Sequence, residues 1–91
     1  MNRQSPTLDE QFNAAVKYVR ETPTTKPISN DTKLLYYAYF KQATIGDVNT
    51  TQPSMFWFKE RAKWDAWNAL KGTSQAHAKS EYIRMIHASA N

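Results

Sequence analysis

The stretch YYAYFKQAT places rings and a cation on one patch of surface. Tyr37, Phe40 and Lys41 stand at i, i+3 and i+4, the spacing that makes side chains neighbours on a helix. Tyr36 and Tyr39 flank them. Farther along, in FKERAKWDAWNALKGTS, Lys63 and Trp67 are also four apart, with Leu70 one turn beyond. Arg20 and Tyr82 contribute a further cation and a further ring. Flat rings offer stacking surfaces to a nucleobase, worth about 1–3 kcal/mol each. Ammonium and guanidinium groups offer phosphate charge-assisted hydrogen bonds, worth about 1.5–3 kcal/mol each. If these faces converge, they form a site for a small molecule carrying a base and phosphates. A plainer reading competes: an aromatic stripe at helical spacing is commonly core, and lysines beside it lay their stems along apolar surface. On that reading Tyr36, Phe58, Trp64 and Trp67 are core residues. For Tyr37, Lys41 and Lys63, spacing supports binding and packing equally.

Four helical segments must position these groups. The chain has two glycines, Gly46 and Gly72, and four prolines, at 6, 23, 27 and 53. Thr7-Leu8-Asp9-Glu10 has the form of a capping box, a hydroxyl at the N-cap and a carboxylate three residues on. Phe12, Ala15, Val16 and Val19 then mark one apolar helical face, ended near Glu21 or Thr22 by Pro23. Ser29, Asn30 or Asp31 can cap a second helix from about Asp31 to Ile45, stopped by Gly46. A third is expected over roughly Glu60 to Lys71, before Gly72. Ser74 can cap a fourth, on which Ala78, Tyr82, Met85 and Ile86 recur on one side. The segment DVNTTQPSMFW is expected to be a long loop packed back on the domain. No strand alternation or internal repeat appears, so the expected fold class is all-α with four helices.

The bulk properties suit one small folded domain spanning residues 1–91. With 41% hydrophobic and 13% aromatic residues the chain has the means to fold, and its net charge of +4 favours anionic partners without choosing one. There is no cysteine, which removes disulfides, thiolate nucleophiles and cysteine metal sites. The start MNRQSPTLDEQ lacks the apolar run of a secretory signal, and no stretch approaches the roughly 20 apolar residues of a membrane span. A soluble cytoplasmic protein is expected. Nothing points to an enzyme. His77 and His87 are ten residues apart on the fourth helix, about 280° around its axis, and cannot share a metal from it. Asp65 reads as a surface charge, and glycine-rich phosphate loops, His-Glu metal motifs and nucleophile elbows are missing. No catalytic residue, metal or cofactor is expected.

At YFKQATIGDVNT, FKERAKWDAWNALKGTS and the spacing between them, the sequence closely resembles the acyl-CoA-binding protein family. The family pattern YKQAT-x-GD-x-N-T, then Pro, then FK-x-x-AKW-x-AW, then a final helix bearing a Tyr, is met in order. Its residues here are Lys41-Gln42-Ala43-Thr44, Gly46-Asp47, Asn49-Thr50, Pro53, Phe58-Lys59, Ala62-Lys63-Trp64, Ala66-Trp67, Gly72-Thr73-Ser74 and Tyr82. The likeness extends back through FNAAVKYV and TKP, so it covers nearly the whole chain. It implies a four-helix up-down-down-up bundle that binds medium- to long-chain fatty acyl-CoA without catalysis. It also implies an intracellular buffer and carrier, monomeric, in transient contact with membranes and acyl-CoA-using enzymes. Carried over by position, the ligand residues are Tyr37, Phe40, Lys41, Lys63 and Tyr82, with Arg20 where the family has a lysine on the first helix. Lys41 would meet the 3′-phosphate with help from the Tyr37 hydroxyl, Lys63 would pair with phosphate near the adenine, and Tyr82 would close the site.

Three departures stand out. Phe40 replaces the family's usual tyrosine, keeping the ring and losing a hydroxyl. The run MFWF at 55–58 is more aromatic than the usual loop, and Trp57 is expected to pack over the acyl chain rather than face a membrane or enzyme. Two extra residues precede TKP and lengthen the first connection. Two rival readings remain, a basic helical nucleic-acid-binding domain and a membrane-surface adaptor using Trp57. Against the first, Asp47, Glu60 and Asp65 interrupt the basic stretches, and no nucleic-acid partner is expected.

Overall fold

Thr7 and Glu10 close the first helix as their types require. The Thr7 hydroxyl accepts from the Glu10 N–H at 3.1 Å, and the Glu10 carboxylate accepts from the Thr7 N–H at 2.8 Å. The computed structural model, which describes residues 5–23 and 26–89, places α1 at Leu8–Glu21. Ser29 is the cap chosen for α2, Asn30–Thr44, its hydroxyl accepting from the Thr32 N–H at 3.1 Å. Gly46, at φ +100°, ends that helix by turning its N–H back to the Lys41 carbonyl, a conformation that glycine adopts without steric cost. Of the lengthened first connection, Thr24 and Thr25 lie outside the described residues, as do Met1–Gln4 of the start.

α3 covers Phe58–Asn68, two residues earlier at its start and three earlier at its end than the sequence suggests. Its end tightens instead of continuing. The N–H groups of Leu70, Lys71 and Thr73 bond carbonyls three residues back, and Gly72 at φ +92° completes the turn. Ser74 then caps α4, Gln75–Ser89, by accepting from the His77 N–H at 3.0 Å.

α4 packs between α1 and α2, and α2 packs between α4 and α3. Lys79 bonds Asp9 near the starts of α4 and α1, and Ile86 and Tyr18 share a groove nearer their ends, so these two helices run parallel. Gln75 at the start of α4 reaches the Ala43 carbonyl at the end of α2, which makes that pair antiparallel. Lys41 lies over Trp67 and Lys63 over Tyr37, so α2 and α3 run the same way. The order is up-down-down-up. Ala43 and Ala78, both essentially inaccessible, let the central helices approach closely. Phe12, Ala15, Tyr82, Ile83 and Ile86 complete the core, with the Phe12 and Tyr82 rings tilted at 5.3 Å.

Two expectations about the aromatics need correction. Phe58 is not core, and the aromatic end of the loop does not pack back on the domain: 72% of Phe58 and 62% of Trp57 are exposed, as are most of Met55 and Phe56. The first part of the long loop does fold back. The Trp67 and Trp64 indoles donate to the Gly46 and Thr50 carbonyls at 2.8 and 3.0 Å. The MFWF tail lies beyond these tethers, where no facing helix covers it.

Candidate ligand-binding site

Parallel packing of α2 and α3 brings Tyr37, Lys41 and Lys63 to one place. The Lys41 and Lys63 ammonium groups lie 5.9 and 5.6 Å from the centre of the Tyr37 ring. Lys41 also stands 5.4 Å from the Trp67 ring. Each contact falls within the range of cation–π attraction. Burial pushes the Tyr37 phenol above its ordinary pKa, and the nearby Glu60 charge adds to the rise. It therefore stays protonated at neutral pH and can donate a hydrogen bond. Glu60 approaches Lys63 at 3.9 Å, while no carboxylate forms an ion pair with Lys41 among the described residues. Two ammonium groups around one half-buried ring, only one of them near a carboxylate, are arranged to receive an anion.

A polar junction built on the buried Gln42 holds this surface in shape. Gln42 is fully buried, and its amide nitrogen donates to Asp47 Oδ1 at 2.9 Å and to the Thr73 carbonyl at 2.7 Å. Asp47 Oδ1 also accepts from the Gly72 N–H at 2.8 Å. That N–H and the Gln42 amide hold the Asp47 carboxyl below its usual pKa. The end of α2, the Gly46–Asp47 turn and the α3–α4 turn are thus locked together one residue from Lys41. Gln42 and Asp47 stand in the sequence as motif residues with no structural role legible for either. Their signal was a five-residue separation across a glycine stop, which says nothing of Thr73 or Gly72.

Phe40 and Tyr82 belong to a neighbouring ring cluster rather than to the cation group. Phe40 stacks on Phe12 at 6.2 Å and meets Tyr82 at 6.1 Å, and Tyr36 meets Tyr82 edge-on at 6.4 Å. Burial raises the Tyr82 phenol, with Tyr36 adding to it. Arg20 stands exposed in the last turn of α1, with no described contact to the Tyr37 group. A groove of about 520 Å³ opens near that end of α1, lined chiefly by Tyr18, Val19, Pro27, Tyr36 and Ile86. Its lining is mostly apolar, so the Tyr37 group, with two cations on one ring, is the stronger anion site.

Other features are surface chemistry. Asp65 pairs with Arg61 at 3.0 Å, and His77 and His87 are exposed. Among the described residues no cluster of histidine and carboxylate groups could hold a metal, and no helix is long and apolar enough to cross a membrane.

Residues 9–86 match the family model for acyl CoA binding protein. Acyl-CoA-binding protein homolog 3 of Caenorhabditis elegans is 50% identical over 82 residues, which span 88% of this chain and 71% of that protein. The crystal structure of Oryza sativa acyl-CoA-binding protein 2 superposes with a TM-score of 0.83 at 40% identity, over 92% of this chain and 91% of that one. The solution structure of the acyl CoA binding protein from Babesia bovis gives 0.77 at 48% identity, over 92% and 94%.

Proposed function

The chain belongs to the acyl-CoA-binding protein family, and from that premise we propose that it binds medium- to long-chain fatty acyl-CoA and carries it without transforming it. The observation that carries this reading is the Tyr37 ring set between the Lys41 and Lys63 ammonium groups. Coenzyme A presents an adenine, a 3′-phosphate and a pyrophosphate, the chemistry those groups accept. Lys41 takes the 3′-phosphate with the Tyr37 hydroxyl donating beside it, and Lys63 pairs with phosphate near the adenine. Phe40 and Tyr82 supply aromatic surface next to them, and Arg20 supplies a further cation from α1. The acyl tail adds apolar burial at roughly 0.8 kcal/mol per methylene, so affinity rises with chain length until the available surface is filled. The protein acts as a monomeric cytoplasmic buffer that delivers the thioester to the enzymes using it.

Calorimetric titration with palmitoyl-CoA below its micelle concentration tests this, with CoA and palmitate as controls. One-to-one binding of the ester, far tighter than of either half, is expected. Equal affinity for CoA and its ester would refute a tail site, and no binding of any acyl-CoA would refute the reading. The nucleic-acid and membrane-adaptor alternatives account for none of the motif series that the family pattern explains.

A further inference from the structure

Two lysines outside the ligand site stand one turn before it on the seam between α2 and α3. The register of these parallel helices sets Tyr37 beside Lys63 and Lys41 beside Trp67. Four residues earlier on each helix come Lys33 and Lys59. Residues four apart share a helical face, so the same register sets Lys33 beside Lys59. They lie about 6 Å along the helix axis from the Tyr37 group. Both are exposed, and neither forms an ion pair among the described residues. The nearby carboxylates are engaged or turned away. Glu60 approaches Lys63 and Asp65 pairs with Arg61. Asp31, two residues before Lys33, falls on another face of α2. The seam thus carries the ammonium groups of Lys33, Lys41, Lys59 and Lys63 against the single carboxylate of Glu60.

One phosphate does not match that surplus. It carries about 1.5–2 negative charges at neutral pH, which Lys41 and Lys63 balance between them. Lys33 and Lys59 are then left as like charges side by side, a repulsion that a second anion relieves. We propose that Lys33 and Lys59 form a second anion-binding station, which takes the pyrophosphate of the coenzyme A whose 3′-phosphate sits at Tyr37. The two phosphate groups are carried on one ribose, so a single ligand spans both stations. Lysine suits the task, because an ammonium on a flexible stem acts as a point charge that follows a pyrophosphate without demanding one fixed geometry. The inference rests on the acyl-CoA reading and deepens it. It makes the pyrophosphate, as well as the 3′-phosphate, a group by which the ligand is chosen.

The test is calorimetric titration at about 0.15 M salt, where exposed charges more than about 8 Å apart are largely screened. It compares wild type, Lys33→Ala/Lys59→Ala and Lys33→Arg/Lys59→Arg. The ligands are palmitoyl-CoA, its 3′-dephospho analogue, and hexadecanedioyl-CoA, whose tail ends in a carboxylate. The alanine pair should weaken palmitoyl-CoA by about tenfold. It should weaken the 3′-dephospho analogue by the same factor, since both carry the pyrophosphate. The arginine pair, which keeps the charge, should bind within about threefold of wild type. Circular dichroism should show the same helix content in all three proteins. An alanine pair that binds palmitoyl-CoA like wild type would overturn the proposal, as would an arginine pair as weak as the alanine pair. A loss confined to hexadecanedioyl-CoA would assign the lysines to the acyl tail, and a loss that vanishes with the 3′-dephospho analogue would assign them to the 3′-phosphate; either overturns it. Wild type that binds no acyl-CoA would remove the acyl-CoA reading and this inference together, whereas tight wild-type binding untouched by the alanine pair removes this inference alone.

Discussion

Trp67 and Trp57 are ten residues apart and sit in opposite worlds. Trp67 is 3% exposed, stands under the Lys41 ammonium and gives its indole N–H to the Gly46 carbonyl. Trp57 is 62% exposed at the head of α3, with Phe56 meeting its ring edge to face. A ring becomes core when a facing helix meets it and its polar atom finds an acceptor. It becomes a surface feature when it falls outside the tethers of the loop that carries it. The molecule thus has a closed, charged region between α2 and α3 and an open, apolar region just before α3.

The largest effect that sharpens this contrast is on stability. Trp67→Ala should cost about 3–5 kcal/mol, through the cavity and the lost tether to Gly46. Trp57→Ala should change stability by no more than about 0.5 kcal/mol. Urea unfolding of the two variants checks both figures, and similar midpoints would erase the distinction. Next in size is an affinity change at the rim of the charged region. Phe40→Tyr restores the hydroxyl usual in the family and should tighten palmitoyl-CoA binding by about 0.5–1.5 kcal/mol. Unchanged affinity in calorimetry would place Phe40 among packing residues only, with Phe12 and Tyr82.

The smallest effect concerns the junction under Lys41. The Asp47 pKa is lowered in the fold, so its contribution to stability is present above the ordinary carboxylate value of about 3.9. It is lost as pH falls through the depressed folded value. Asp47→Asn should therefore be less stable than wild type at neutral pH, and the two curves should converge in acid. A residual slope is expected in the variant, because Arg84 also lowers the Glu81 pKa. Urea midpoints measured from neutral to strongly acid pH decide it, and curves that stay parallel would remove Asp47 from the account.

What could be read from the sequence follows from the range of each signal. The capping box at Thr7, the Ser29 and Ser74 caps and the Gly46 stop are local, and all four appear in the structure. The Tyr37–Lys41 and Lys63–Trp67 spacings were legible for the same reason. The register of α2 against α3, which makes one site of the two pairs, is tertiary and has no local signature. Neither has the junction from Gln42 through Asp47 to Gly72 and Thr73, whose partners lie 25 to 31 residues apart. The end of α3 was misplaced because its last turn tightens, a choice that helical periodicity does not encode. MFWF was misread because four apolar residues in a row have no period to indicate a face.

The proposed site sets the head group between Lys41 and Lys63 on Tyr37, away from the exposed turn. Parallel calorimetric titrations of palmitoyl-CoA into wild type, Lys63→Ala and Trp57→Ala test it most directly. One-to-one binding is expected in all three, with Lys63→Ala weakened by about 1.5–3 kcal/mol and Trp57→Ala indistinguishable from wild type. Lys63→Ala binding as wild type does, while Trp57→Ala loses the ligand, would contradict it.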